Sequence, residues 1–196
     1  ILAEDKTPPM LDSIDFAVDT LFCTDLDRIV DNPETIDPAS PYYTGRAYFS
    51  DACSGEIMDI SFRDRVVFGD CIDGYSAQLY RTFTAEGPEG YQVDTTQVIT
   101  FVAPSLDSLI TIDQPIRLPT CSAENTPTPD DVWPFWINSF GDQVRINEVD
   151  CGYGLTVDST VFSICSGQGR KVVQYIRAFD WCTETSRVVD TITIEI

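Results

Sequence analysis

Hydrophobic and polar positions alternate with a period of two along much of the chain. In Ser13-Ile14-Asp15-Phe16-Ala17-Val18-Asp19 the alternation sets Ile14, Phe16 and Val18 toward one side, and Gln143-Val144-Arg145-Ile146-Asn147 does the same with Val144 and Ile146. Successive side chains of a strand point to opposite faces, so this pattern predicts strands with one buried face. Similar runs cover residues 45–50, 57–62, 76–85, 92–102, 109–118, 155–164, 171–179 and 187–196. Clusters of Gly, Pro, Asp, Asn and Ser separate many of them, at 38–41, 52–55, 87–90, 127–131 and 166–169, and these residues favour turns. No longer window keeps the 3.6-residue period of an amphipathic helix.

The pattern also recurs on a larger scale. Leu11-Asp12-Ser13 returns as Leu106-Asp107-Ser108, an offset of 95, each following a proline-containing stretch that reads as the start of a first strand. Cys23 and Cys121 lie 98 apart, as do Cys53 and Cys151, while Cys71 and Cys165 lie 94 apart. Tyr80-Arg81-Thr82-Phe83 matches Ile176-Arg177-Ala178-Phe179 at 96, and Val98-Ile99-Thr100-Phe101 matches Thr191-Ile192-Thr193-Ile194 at 93. The order is kept and the offset drifts only slightly, as loop-length changes in a true repeat would produce. Short strands in units of this size predict an all-β fold of two tandem immunoglobulin-like β-sandwich domains. The expected domains are 1–103 and 104–196, with residues 1–3 read as the end of a preceding unit's last strand. The array is therefore expected to continue past both ends.

Composition sharpens this picture. The chain is 43% hydrophobic and rich in Val, Ile, Thr, Tyr and Phe, which suit a pleated surface. Its formal charge of −20 argues against nucleic acid and anionic membrane partners, since phosphate binding needs Lys and Arg. No apolar run reaches the length of a membrane span, so no membrane insertion is expected. The start, ILAEDK, has neither Met nor the basic and apolar regions of a signal peptide, and reads as a mature or excised piece of a longer chain.

Seven cysteines occur without a single histidine. They are widely spaced rather than set in paired zinc knuckles, so disulfides and an extracellular location are expected. The missing histidine removes Ser-His and Cys-His nucleophiles within this chain. Neither an Asp-Thr-Gly or Asp-Ser-Gly motif nor a Gly-rich phosphate loop occurs. No enzyme activity and no cofactor are expected. The carboxylate clusters Asp25, Asp27 and Asp31, Asp70 and Asp73, and Asp130 and Asp131 could bind Ca²⁺ weakly, or simply keep a crowded surface solvated. Trp133 and Trp136 in Val132-Trp133-Pro134-Phe135-Trp136-Ile137 could form an exposed sugar platform, or pack in the core as sandwich tryptophans commonly do.

Arg81-Thr82-Phe83-Thr84-Ala85 followed by Gln97-Val98-Ile99-Thr100-Phe101 resembles the RTWTA…QTITV ending of bacterial hyalin-repeat-like (HYR-like) immunoglobulin-fold modules. Ser50-Asp51-Ala52-Cys53 resembles the SDNC element that precedes it. Val149-Asp150-Cys151, Arg177-Ala178-Phe179-Asp180-Trp181-Cys182 and Asp190-Thr191-Ile192-Thr193-Ile194 occupy the corresponding places in the second repeat. The resemblance spans most of both repeats, through a degenerate motif. It implies a structural and adhesive unit of a giant secreted adhesin or surface filament, similar to those of gliding and biofilm-forming Bacteroidota. The partners it implies are neighbouring repeats, and glycans or other cell surfaces. Two rival expectations are a carbohydrate-binding or accessory module of a secreted hydrolase, with Trp133 and Trp136 as its platform, and a subunit of a noncovalent strand-exchanged filament.

The resemblance further implies pairing of Cys151 with Cys182, of Cys121 with Cys165 and, by analogy, of Cys23 with Cys71. Cys53 is then a free or intermolecular thiol, because Glu89 stands where the motif has its partner. Pairing of Cys53 with Cys71 is the rival, and would leave Cys23 over. Finally, Asp followed by Ser or Thr and then Ile, Leu or Thr occurs six times, against roughly one or two expected by chance. This resembles the O-glycosylation sequon of the same phylum, with Ser13, Thr20, Thr95, Ser108, Ser159 and Thr191 as acceptors. The competing reading is that Asp caps local N–H groups while Ser and Thr suit turns and strands.

Overall fold

The computed structural model describes residues 7–52, 55–57, 60–70, 72–87, 90–111, 116–117, 133–148, 151–164, 169–182 and 184–195. They form an all-β protein with one short helix, and the chain divides into two compact units, Ile1–Val102 and Ala103–Ile196.

The first unit contains β1 (Met10–Asp15), β2 (Thr20–Phe22), β3 (Arg46–Asp51), β4 (Gly55–Ile57), β5 (Ile60–Phe68), β6 (Ala77–Glu86) and β7 (Gln92–Val102). One sheet has the order β1-β3-β4 and the other β2-β7-β6-β5, with β2 parallel to β7 and every other pair antiparallel. The alternation of β6 is strict: Ala77, Leu79, Arg81, Phe83 and Ala85 are buried and the residues between them are half-buried. Phe83 and Ala85 meet Ala47 and Phe49 of β3, with Phe16, Ile36, Ile60, Phe62 and Val93 packed around them. The two sheets thus face each other across one core, where apolar burial stabilises at roughly 25 cal/mol per Å².

The run expected over 13–19 divides differently. β1 ends at Asp15, carries a register shift between Leu11 and Ser13 and is exposed throughout, with Ile14 54% accessible. Phe16 is the residue that reaches the core, stacking on Phe83 at 6.0 Å between ring centroids. An edge strand with a bulge loses the simple inside–outside alternation on which the expectation rested.

Residues 23–45 leave the sheets between β2 and β3. They form a 3-10 turn at Cys23–Asp25, the helix α1 (Leu26–Ile29) and a second 3-10 turn at Pro33–Ile36. Asn32 caps the second turn by accepting the Glu34 N–H at 3.0 Å, and Pro33 occupies the first helical position, where its missing N–H costs nothing. These elements are too short for a helical period to show in the sequence.

The second unit contains β8 (Ile116–Arg117), β9 (Phe135–Ile137), β10 (Gln143–Arg145), β11 (Tyr153–Ile164), β12 (Gly169–Asp180) and β13 (Thr185–Glu195). Its main sheet has the order β11-β12-β13-β8, with β8 parallel to β13, and β9 and β10 form a separate antiparallel pair. Trp136, Ile146 and Ala178 are the buried centre of one cluster, and Ile176 and Ile192 of another, with Trp133 and Val189 touching both. Of the run expected over 109–118, the described residues show a bridge at Ile110 to Phe135 and the two residues of β8.

Each unit takes the chain in at one end of its sheets and releases it at the other. In the first, Pro9 lies against Gly87 beside the turn that precedes β7, whereas the ends of β2 and β7 pair at Phe22 and Val102. In the second, the Pro104 and Ser105 carbonyls accept the Tyr153 hydroxyl (2.7 Å) and the Trp136 indole N–H (3.0 Å) near the start of β11. Its last described residue, Glu195, pairs with Lys171 near the far end of the β11–β12 hairpin.

Candidate functional site

Arg81 lies on the inward face of β6 with no accessible surface, and all five of its N–H donors find acceptors. Nε donates to Asp64 Oδ1 (2.8 Å) and Nη2 to Asp64 Oδ2 (2.7 Å), a two-pronged ion pair across the β5–β6 register. Nη2 also donates to the Ile29 carbonyl (2.9 Å), and Nη1 donates to the Thr35 hydroxyl (2.5 Å) and the Thr44 hydroxyl (3.1 Å). The guanidinium stacks on Phe62, 4.7 Å from the ring centroid. Asp64 additionally accepts the N–H of Asp31, which sits in the left-handed region at φ 53°. Gln97 extends the network by donating to the carbonyls of Val18 and Thr44. One arginine therefore fastens the whole 23–45 segment to the sheet. At the far end of that segment, the Tyr43 hydroxyl donates to the Asp15 carboxylate at 2.9 Å, and burial together with that carboxylate holds its phenol well above the ordinary value.

The motif that this stretch resembles contains the arginine, but its letters alone do not mark it as buried. The signal available was its place in the alternation, between Leu79 and Phe83. Arg177, its counterpart by letters, is exposed and pairs with exposed Asp158 at 3.3 Å. Along β12 the neighbouring Ile176 takes the inward side instead, where it is buried. The match at offset 96 therefore does not preserve which face a residue occupies.

Cys23, Cys151 and Cys182 are each disulfide-bonded. The β11–β12 ladder pairs Tyr153 with Asp180, and the Trp181 N–H donates to the Gly152 carbonyl at 3.1 Å, so Cys151 and Cys182 lie across from one another just beyond the ladder. Cys53, Cys71, Cys121 and Cys165 lie outside the described residues.

The six Asp-Ser/Thr hydroxyls fall on different kinds of backbone. Ser13 in β1, Thr20 in β2, Ser159 in β11 and Thr191 in β13 are exposed, and Thr95 in β7 is half-buried. Ser108 is exposed but lies in a 3-10 turn, not the start of a strand, and its hydroxyl donates to the Ser105 carbonyl at 2.7 Å. The repeated Leu-Asp-Ser thus adopts two conformations, because Ser105 caps the second copy by accepting the Asp107 N–H. Asp190 does bind the N–H of the residue after it, at 2.7 Å. Asp12 and Asp158 instead bind across strands, to the Ser50 hydroxyl (2.6 Å) and to Arg177.

No protein-family model and no curated protein sequence matches this chain.

The tryptophan platform is corrected. Trp136 is 1% accessible, donates its indole N–H to Ser105 and stacks on Tyr153 at 5.9 Å, so it presents no face to a sugar. Trp133 is half-buried against both clusters of the second unit. A large aromatic flanked by Pro134 and Phe135 has more apolar surface to gain inside than outside. The exposed tryptophan is Trp181, at 61%, which the sequence reading did not single out. The acidic clusters do not converge either. Asp25 is buried while Asp27 and Asp31 are exposed, and Asp70 and Asp73 hold their own turn through the N–H groups of Ile72, Asp73 and Asp70. Among the described residues no three Asp, Glu or Cys groups come together as metal ligands. Asp130 and Asp131 lie outside them.

Proposed function

We propose that this chain is a load-bearing and adhesive stretch of a long extracellular fibre or giant adhesin, built of tandem HYR-like immunoglobulin-type sandwiches. The observation that carries the reading is the opposite placement of chain entrance and exit in both units, which lets such units be strung end to end with tension passing through each one. The parallel pairs β2–β7 and β8–β13 support it, since each ties a strand from the earlier part of a unit to its last strand. Disulfide bonding at Cys23, Cys151 and Cys182 fits an oxidising exterior. The register favours a bond between Cys151 and Cys182. The charge of −20 keeps densely arrayed copies apart and in solution.

In this reading, Ser13, Thr20, Ser108, Ser159 and Thr191 stand exposed for O-linked sugars, with Thr95 less so. Ser13 and Ser159 lie on β1 and β11, which are sheet edges, and glycans there would hinder edge-to-edge pairing. Gold-labelled antibody raised against the chain and applied to unpermeabilised source cells is expected to decorate filaments projecting from the surface. Label appearing only after the cells are opened would overturn the proposal.

A further inference from the structure

The outward face of the second unit's main sheet contains a site distinct from everything above. Leu155, Val157, Ile176 and Ala178 turn inward to the core, so Gly154, Thr156 and Asp158 of β11 and Tyr175, Arg177 and Phe179 of β12 turn outward in register. Trp181 continues this row. Although 61% accessible, it is held from several sides. Its ring lies 4.7 Å from that of Phe179 between centroids with 76° between planes, its backbone N–H donates to the Gly152 carbonyl, and Cys182 beside it is disulfide-bonded and donates its N–H to Asp180 at 2.8 Å.

Gly154 lies at the rim of that ring. A Cβ there would lie 3.1 Å from Trp181 Cζ2 and 3.4 Å from Cε2 and Nε1, so the rim of the indole approaches bare backbone and a larger residue would make it give by a few tenths of an ångström. The result is an aromatic side chain held at its rim and 61% accessible. Arg177 lies four residues back along the same face, about 13 Å away at strand spacing, and Asp158, opposite Tyr175, lies two residues further. They supply donors and acceptors that remain accessible, at 46% and 68%.

An exposed, held indole with hydrogen-bonding groups further along the same face suits an oligosaccharide, one pyranose of which packs its C–H-rich face on the indole while the hydroxyls of its neighbours seek polar partners. The net charge of −20 disfavours uronic or sulfated sugars. We propose that Trp181, held at its rim by Gly154 and against Phe179, with Arg177 and Asp158 further along the same face, is a stacking site for a neutral oligosaccharide. The assignment stands whether or not the chain belongs to a fibre.

The full chain, titrated with cellohexaose, xylohexaose and mannohexaose while indole emission is followed, is expected to show a saturable change with at least one, weaker with hexagalacturonate. For that sugar, Trp181→Ala should weaken binding about tenfold or more, Trp181→Phe should stay within about threefold, and Arg177→Met should weaken it several-fold. Calorimetry follows binding in the tryptophan variants, and unchanged thermal unfolding shows that they remain folded. The proposal fails if none of the three neutral sugars gives a saturable change up to about 10 mM, a concentration that would detect millimolar affinity. It also fails if Trp181→Ala binds as the parent does, or if only the acidic sugar binds.

Discussion

Replacing Arg81 with Met should destabilise the first unit by about 3–5 kcal/mol, the largest loss expected from any single substitution in it. The reason is asymmetric. With the guanidinium gone, the Asp64 carboxylate, whose side chain has no accessible surface, keeps only the Asp31 N–H, and the Ile29 carbonyl and Thr35 and Thr44 hydroxyls lose their partner. At roughly 4–8 °C per kcal/mol for a domain of this size, the melting temperature should fall by about 12 °C or more. Asp64→Asn should also cost stability, since it leaves the buried guanidinium without its counter-charge and turns an amide N–H toward one of its donors. The double variant Arg81→Met with Asp64→Leu should recover much of the loss, because replacing both members of a buried pair with apolar groups removes the uncompensated charge. Denaturant melts of the four chains measure this directly. If Arg81→Met costs less than about 1 kcal/mol, the network does not hold the 23–45 segment in place.

Cys182→Ser should give the largest effect in the second unit. Positions 151 and 182 are 31 apart, and cross-linking a loop of that size removes chain entropy worth about 3–4 kcal/mol from the unfolded state. The expected signature is a loss of that order, together with one new reactive thiol that peptide mapping assigns to Cys151. A new thiol at any other cysteine would show that Cys182 pairs elsewhere and would remove the Cys151–Cys182 assignment.

How legible the molecule was depends on the kind of feature. The strict alternation from Ala77 to Ala85 and the long run ending at Val102 translate into β6 and β7 almost residue for residue, because a central strand between two neighbours has little freedom to slip. β1 does not, because it is an edge strand with a register shift and the pleat no longer decides which side Ile14 occupies. The 23–45 segment eluded the pattern because its turns are three or four residues long and are held by Arg81 from another strand. The site residues show the same division. Six Asp-Ser/Thr pairs are visible as letters, but whether Ser13 and Ser108 sit in equivalent settings depends on Ser105, and they do not. Trp133 and Trp136 stand close together in the sequence, whereas the setting of Trp181 depends on the β11–β12 register that brings Gly154 to its rim.

The central claim, that this chain is part of a far longer disulfide-stabilised and glycosylated surface polymer, is tested most directly by its mass in the native material after full denaturation and reduction. With antibody detection, measured before and after chemical deglycosylation, the account predicts a species many times heavier than the 21.9 kDa of these 196 residues, lightened by sugar removal. A reduced, denatured species of 21.9 kDa, unchanged by deglycosylation, would contradict it and leave at most a noncovalent assembly of bare subunits.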